Sequence, residues 1–301
     1  QLRNDFKYAL IEEYRTYWNA YDNPNEFYSD ILSMDSSMYE HFAARRMAAK
    51  GMSALTELRL LDQNTLWFVV YGKTKRALEC LQVINQDDIE AVTEVLNSDF
   101  LTQGPKVSEF ENDLKIFCNA KYAKVVSNAT AALHLAYLAI GIQKGDIVWT
   151  SPNTFVSTAN AAKFCDAEVD FVDIDPKTYN MSIDSLRDKL IQAKQNNKLP
   201  KLVVPVHFSG QSCQMQEISE LSKEYGFKVI EDASHALGGD YKNKKVGSCE
   251  FSDMAIFSFH PVKMITTGEG GAITTNDPKL DEKVALLRTH GITKDIKKFE
   301  N

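Results

Sequence analysis

From about Asp87 onward the chain alternates between two rhythms of apolar residues. Short runs rich in Val, Ile, Ala and aromatic residues predict strands at 123–126, 146–149, 169–172, 202–206, 228–230, 254–258 and 272–275. Between them, apolar positions recurring every three or four residues predict helices at 130–141, 157–165, 183–193, 215–225 and 279–289. A further helix at 86–96 opens the region, and Asp87, Asp88 and Glu90 near its start suit the positive end of a helix dipole. Strands that alternate with helices in this way specify an α/β fold, a mostly parallel seven-stranded sheet covered by helices.

Residues 1–82 follow a different pattern. Aromatic-rich helical periodicity spans 12–21 and 37–49, a strand-like run spans 66–71, and Asp22-Asn-Pro-Asn25 reads as a turn. The chain therefore divides into a mainly helical segment, 1–82, whose sequence carries no catalytic signature, and an α/β unit, 83–301.

Composition narrows the field. Apolar residues make up 44% and charged residues 25% of the chain, and no apolar run approaches the ~20 residues of a membrane span. A formal net charge of −7 and the lack of a Lys/Arg cluster with interleaved aromatics argue against nucleic acid as a partner. The five cysteines (Cys80, Cys118, Cys165, Cys213, Cys249) contain no C-x-x-C pair; they read as reduced thiols of a cytoplasmic protein, and no metal site is expected. Asn128-Ala-Thr130 and Asn180-Met-Ser182 match the glycosylation sequon, but the chain opens without a basic-then-apolar signal segment, so neither is read as a glycosylation site.

The chemistry concentrates at predicted strand ends. In "KVVSNATAALHLAYLAIG" a strand passes through a small polar turn into an apolar helix, which aims free N–H groups, with Ala129 and Thr130 at the helix start, at whatever fills the crevice. A phosphate suits that place, although Ser, Asn and Thr are also ordinary helix caps. In "KVIEDASHALGG" a strand ends in Glu231-Asp232 and continues to Ser234 and His235. A carboxylate there faces the ligand crevice of an open α/β sheet, where Asp232 could pair with a pyridinium nitrogen or simply cap a helix.

In "FSFHPVKMITTGEGGAITTND" the strand 254–258 leads through His260 to Lys263 and then to Gly268, Gly270 and Gly271. A lysine at the mouth of such a crevice, beside a cation, is shifted toward the neutral amine that Schiff-base formation requires. Phe155, just after a strand, could cover one face of a planar ring or fill the core. His207 closes strand 202–206 and is a weaker candidate, since a single strand-end histidine is commonly hydrogen-bonded structure. The order of phosphate turn, stacking aromatic, strand-end Asp and Ser-x-x-x-x-Lys specifies pyridoxal 5′-phosphate.

From about Asn85 to its end the sequence resembles the DegT/DnrJ/EryC1/StrS family of sugar aminotransferases. The segments "SDFLTQGPKVSEFE", "EDASHALGGDYKNKKVGSCEFSDMAIFSFHPVKMITTGEGGAITTND" and "LLRTHGI" carry the resemblance. They are most similar to the branch that aminates UDP-4-keto-6-deoxy-N-acetyl-altrosamine on the way to pseudaminic acid.

The resemblance implies the large domain of a fold-type I pyridoxal-phosphate enzyme. Lys263 would hold the cofactor covalently and shuttle a proton, Asp232 would pair with the ring nitrogen, and His235 would lie near the ring or its phenolic oxygen. Ala129, Thr130 and Ser258 would hold the phosphate, with Phe155 against the ring. L-glutamate would be the amino donor, a nucleotide sugar the acceptor, and the full-length form a homodimer. Relatives with histidine in place of this lysine perform dehydration, so Lys263 favours transamination. Family members continue well beyond the "RTHGI" segment into a small C-terminal domain, so the alternative expectation is a truncated or fused form that binds the cofactor but is impaired in turnover.

Overall fold

The computed structural model describes residues 84–292. The expectations for residues 1–82 lie outside the described residues. Helix α1 (Gln86–Leu96) begins at Asn85, whose side chain accepts the N–H groups of Asp87 and Asp88 while the Asp88 carboxylate accepts the N–H of Asn85. This reciprocal capping box fixes the start that the sequence predicts. Helix α2 (Pro105–Cys118) was not anticipated; Pro105 suits its first turn, where a missing N–H costs nothing, and Gly104 precedes it. A Cβ at Gly104 would lie 2.6 Å from the Phe100 Cβ, so the sharp entry to α2 needs glycine.

The remaining elements follow as β1 (Tyr122–Val126), α3 (Ala129–Ile140), β2 (Ile147–Thr150), α4 (Val156–Phe164), β3 (Glu168–Phe171), α5 (Ile183–Gln195), β4 (Leu202–Val204), α6 (Met215–Tyr225) and β5 (Lys228–Asp232). A two-strand ribbon, β6 (Asp240–Tyr241) and β7 (Lys244–Lys245), turns through Lys242 and Asn243, both at positive φ as a tight hairpin turn requires. Then come β8 (Met254–Ser258), β9 (Gly271–Thr275) and α7 (Pro278–Arg288).

Seven strands form one sheet in the order β1-β9-β8-β5-β4-β2-β3. β9 runs antiparallel to both neighbours, and the pairs β8–β5, β5–β4, β4–β2 and β2–β3 are parallel. The mostly parallel, seven-stranded expectation is therefore met. Helices α3, α4 and α7 cover one face around a core that includes Leu133, Tyr137, Ile230 and Ile256. Helices α5 and α6 cover the other face with Leu186, Ile218 and Val229, and α2 adds Leu114 and Cys118 beside β1.

Side chains alternate between the faces along each strand. On β5, Val229 joins the α5/α6 core and Ile230 the α3/α4 core, so Glu231 and Asp232 point to opposite faces. The strand limits lie within one residue of expectation except at two ends. β4 stops at Val204 because Pro205 has no N–H to continue the ladder. β5 runs past Ile230 through both carboxylates, whose polar partners compensate their burial.

Candidate active site

The site forms where β1, β2, β5 and β8 end toward the α3/α4 face. At the first junction, Asn128 caps α3 by accepting the N–H of Ala131 at 2.8 Å. The N–H groups of Ala129 and Thr130 precede any intrahelical acceptor and have none among the described residues, which leaves two donors at the positive helix end. Beneath this turn lies Gly271. A Cβ there would sit 2.5 Å from the Asn128 carbonyl carbon and 2.6 Å from the Ala129 nitrogen, so only glycine lets β9 support the turn this closely. Gly271 also pairs with Ser258, the last residue of β8, whose hydroxyl accepts the His260 N–H at 3.4 Å.

Helix α4 supplies the next group. Phe155 occupies its N-cap without a side-chain capping bond and is 73% exposed. Of the two roles open to Phe155, the core-filling one is excluded. The hydroxyls of Ser157 and Thr158 do not cap the helix. Ser157 Oγ lies 2.7 Å from Thr130 Oγ1, and Thr158 Oγ1 donates to Asp232 Oδ2 at 2.7 Å. Thr154 Oγ1 reaches Thr158 Oγ1 at 2.8 Å, and the Tyr137 hydroxyl donates to the Thr158 carbonyl at 2.8 Å. Burial, helped by the Asp232 charge, pushes the Tyr137 hydroxyl well above its ordinary range, so it remains a donor.

Asp232 is 4% exposed. Its Oδ1 accepts the Ser234 hydroxyl at 2.7 Å and the Ser234 N–H at 3.2 Å. Its backbone is pinned as well: the Asp232 N–H bonds to the Pro205 carbonyl, and its own carbonyl accepts the His207 N–H. One residue beyond Ser234, His235 Nε2 lies within hydrogen-bonding distance of Lys263 Nζ, at 2.5 Å. Hydrogen bonds thus join Thr130 to Ser157, Thr158 to Asp232, Ser234 to Asp232 and His235 to Lys263, with Ser157–Thr158 and Ser234–His235 adjacent in the chain.

His207 does not join this group. Its ring is buried on the opposite face, where Nδ1 accepts the Cys213 N–H at 3.1 Å and the protonated Nε2 donates to Glu231 Oε2 at 2.8 Å. The other Glu231 oxygen accepts the Ser252 hydroxyl at 2.5 Å. His207 is structural, held by its strand-end neighbours rather than open to the crevice. The four described cysteines are free and buried; burial pushes the Cys118 thiol up to about 12 and raises Cys249 further, which removes both as nucleophiles near neutral pH. No cluster of His, Cys, Asp and Glu suited to a metal occurs among the described residues. Among them, too, no helix is long and apolar enough to cross a membrane.

Sequence reasoning missed Ser157, Thr158 and Ser234. The string "FVSTAN" offers hydroxyls at a helix start, which is indistinguishable from a cap until Phe155 is seen to hold that position.

Sheet order and strand-end residues together define the large domain of a fold-type I pyridoxal-phosphate transferase. The chain belongs to the DegT/DnrJ/EryC1/StrS aminotransferase family, which it matches over residues 82–301. A UDP-4-amino-4,6-dideoxy-N-acetyl-beta-L-altrosamine transaminase of Campylobacter jejuni is 49% identical over 213 residues, or 71% of this chain and 55% of that protein. The spore coat polysaccharide biosynthesis protein SpsC of Bacillus subtilis is 44% identical over 214 residues, 71% of this chain and 53% of its own. Among solved structures, Helicobacter pylori PseC, an aminotransferase involved in pseudaminic acid biosynthesis, superposes with a TM-score of 0.65 at 38% identity, covering 72% of this chain and 57% of that one. The chain spans about half the length of the curated relatives it matches.

The residues present fit pyridoxal 5′-phosphate. Two N–H groups and two hydroxyls suit a phosphate, a buried carboxylate suits a protonated ring nitrogen, an exposed aromatic suits a ring face, and a primary amine suits the aldehyde.

Proposed function

We propose that this chain is the cofactor-binding portion of a pyridoxal 5′-phosphate-dependent aminotransferase that moves an amino group from L-glutamate to the C4 ketone of a UDP-linked 4-keto-6-deoxy amino sugar. The observation that carries this reading is Asp232, a buried strand-end carboxylate held by the neutral donors of Thr158 and Ser234. Burying a carboxylate favours a cationic partner, and a protonated pyridine nitrogen supplies one. The bound cofactor contributes an electron sink for chemistry at the carbon next to nitrogen.

Everything else is work for the side chains. Asp232 keeps the ring nitrogen protonated, while Ala129, Thr130 and Ser258 hold the phosphate and Phe155 covers one ring face. Lys263 would hold the cofactor through its amine, and that amine, oriented by His235, would carry a proton to and from the reacting carbon. The sugar assignment rests on the 49% identity to the Campylobacter jejuni transaminase. A homodimer is part of the reading, supported by exposed Val262, Met264 and Ile265 on the turn that carries Lys263.

The test uses the 301-residue chain incubated with pyridoxal 5′-phosphate. A visible absorption band that borohydride abolishes, that L-glutamate bleaches, and that Lys263→Ala never develops is the expected result. A colourless wild type overturns the reading. If the band forms but resists glutamate, the cofactor assignment stands and the amino-donor assignment falls. Product analysis with a UDP-linked 4-keto sugar then checks the acceptor.

A further inference from the structure

The first turn of α4 places two adjacent hydroxyls on opposite parts of the site. Ser157, 6% exposed, meets Thr130 at the phosphate turn; Thr158, fully buried, meets Asp232 at the end of β5. The direction of each bond follows from proton counting. A carboxylate can only accept, so the single Thr158 proton goes to Asp232 and the neighbouring Thr154 hydroxyl must donate to Thr158. If Thr130 gives its proton to a phosphate, Ser157 must in turn donate to Thr130.

Helix α4 can hold both groups firmly. Tyr137, fully buried on α3, ties the Thr158 carbonyl to the core, and Phe155 takes the cap position that would otherwise draw these hydroxyls away. Thr130 lies on α3 and Asp232 on β5, about a hundred residues further along the chain. The Ser157–Thr158 pair is the hydrogen-bonded link between them.

We infer that Ser157 and Thr158 are positioning residues that act as a caliper, setting the distance between the phosphate-holding hydroxyl of Thr130 and the ring-nitrogen carboxylate of Asp232. This inference rests on the pyridoxal 5′-phosphate reading. The two residues divide the work: Ser157 acts through the phosphate end and Thr158 through the ring end. A ligand without a phosphate therefore feels the loss of Thr158 and not the loss of Ser157.

The experiment compares binding of pyridoxal 5′-phosphate and of pyridoxal to the full chain, followed by quenching of tryptophan fluorescence, for wild type, Ser157→Ala, Thr158→Val and Thr158→Ser. Loss of a hydrogen bond to a charged group weakens binding roughly 10-fold or more, and loss of one between neutral groups roughly 5-fold. Thr158→Val is expected to weaken both ligands roughly 10-fold, with Thr158→Ser restoring them. Ser157→Ala is expected to weaken pyridoxal 5′-phosphate roughly 5-fold and to leave pyridoxal unchanged. Thermal unfolding of each variant without ligand identifies any that fail to fold, and Thr158→Ser keeps the hydroxyl test available if Thr158→Val does.

Equal losses for both ligands in Ser157→Ala, or a folded Thr158→Val that binds like wild type, overturn the inference and leave the cofactor assignment intact. Wild type that binds neither ligand overturns the cofactor assignment and this inference together.

Discussion

Glu231 and Asp232 are neighbours on one strand, both carboxylates and both nearly inaccessible, yet they belong to different kinds of site. Glu231 faces the α5/α6 side, where an imidazole and a hydroxyl close around it. Asp232 faces the α3/α4 side, where its partners are two alcohols and one backbone amide. The imidazole is a base that can hold a proton for Glu231 from within the fold, whereas alcohols offer Asp232 no counter-charge. Burial alone therefore says little about a carboxylate's role. The ionisation chemistry of its partners, chosen by the parity of the strand, is what distinguishes the two carboxylates.

Substitution should separate the two. Glu231→Ala strands His207 and Ser252 in the core and is expected to cost about 3–5 kcal/mol of stability by urea unfolding, the scale for breaking a buried pair. If stability is unchanged, the Glu231–His207 pair is not structural. Asp232→Asn keeps the size of the side chain, turns one acceptor oxygen into a donor to which the Thr158 hydroxyl can adapt by rotating, and removes the charge proposed to face the ring nitrogen. The glutamate half-reaction should slow about 10²–10³-fold, the scale of a lost electrostatic contact in an active site. Its unfolding midpoint should stay close to wild type; a large drop would place Asp232 with Glu231 as structure.

Phe155→Ala is the mildest change and sharpens the comparison from the solvent side. An exposed cap residue away from the core should alter stability by no more than about 0.5 kcal/mol. Losing the aromatic face should still weaken cofactor binding several-fold, on the ~0.5–1.5 kcal/mol scale of an aromatic contact. Unchanged affinity would remove Phe155 from the site.

Periodicity made most of the sheet readable, because buried parallel strands such as "MAIFS" and apolar helices such as "ATAALHLAYLAI" carry strong signals. Helix α2 escaped because its sequence, "PKVSEFENDLKIFC", buries only Leu114 and Cys118, and charges dilute the stripe. The β4 boundary was misplaced since apolar content continued past a proline that the ladder could not accommodate. Within the site, Lys263, Asp232 and the Thr130 turn stood out through residue type at a strand end. Ser157 and Thr158 did not, because their importance lies in which distant residues they touch. His207 read as a weaker strand-end candidate than Asp232, and its hydrogen bonds to Glu231 and Cys213 hold it on the other face.

The late position of Gly271 bears on how the protein is made. It pairs with Val126 at the end of β1 and with Ser258 at the end of β8, so β9 slots between the strand made just before it and one made well over a hundred residues earlier. A nascent chain emerging from the ribosome can build the parallel strands from β2 to β8 in stages. The turn at the start of α3 gains its floor only when residue 271 arrives, so the proposed cofactor site is completed after all the parallel strands of the sheet have been made. Closure over so long a loop should also be slow, as is usual for folds rich in long-range pairing.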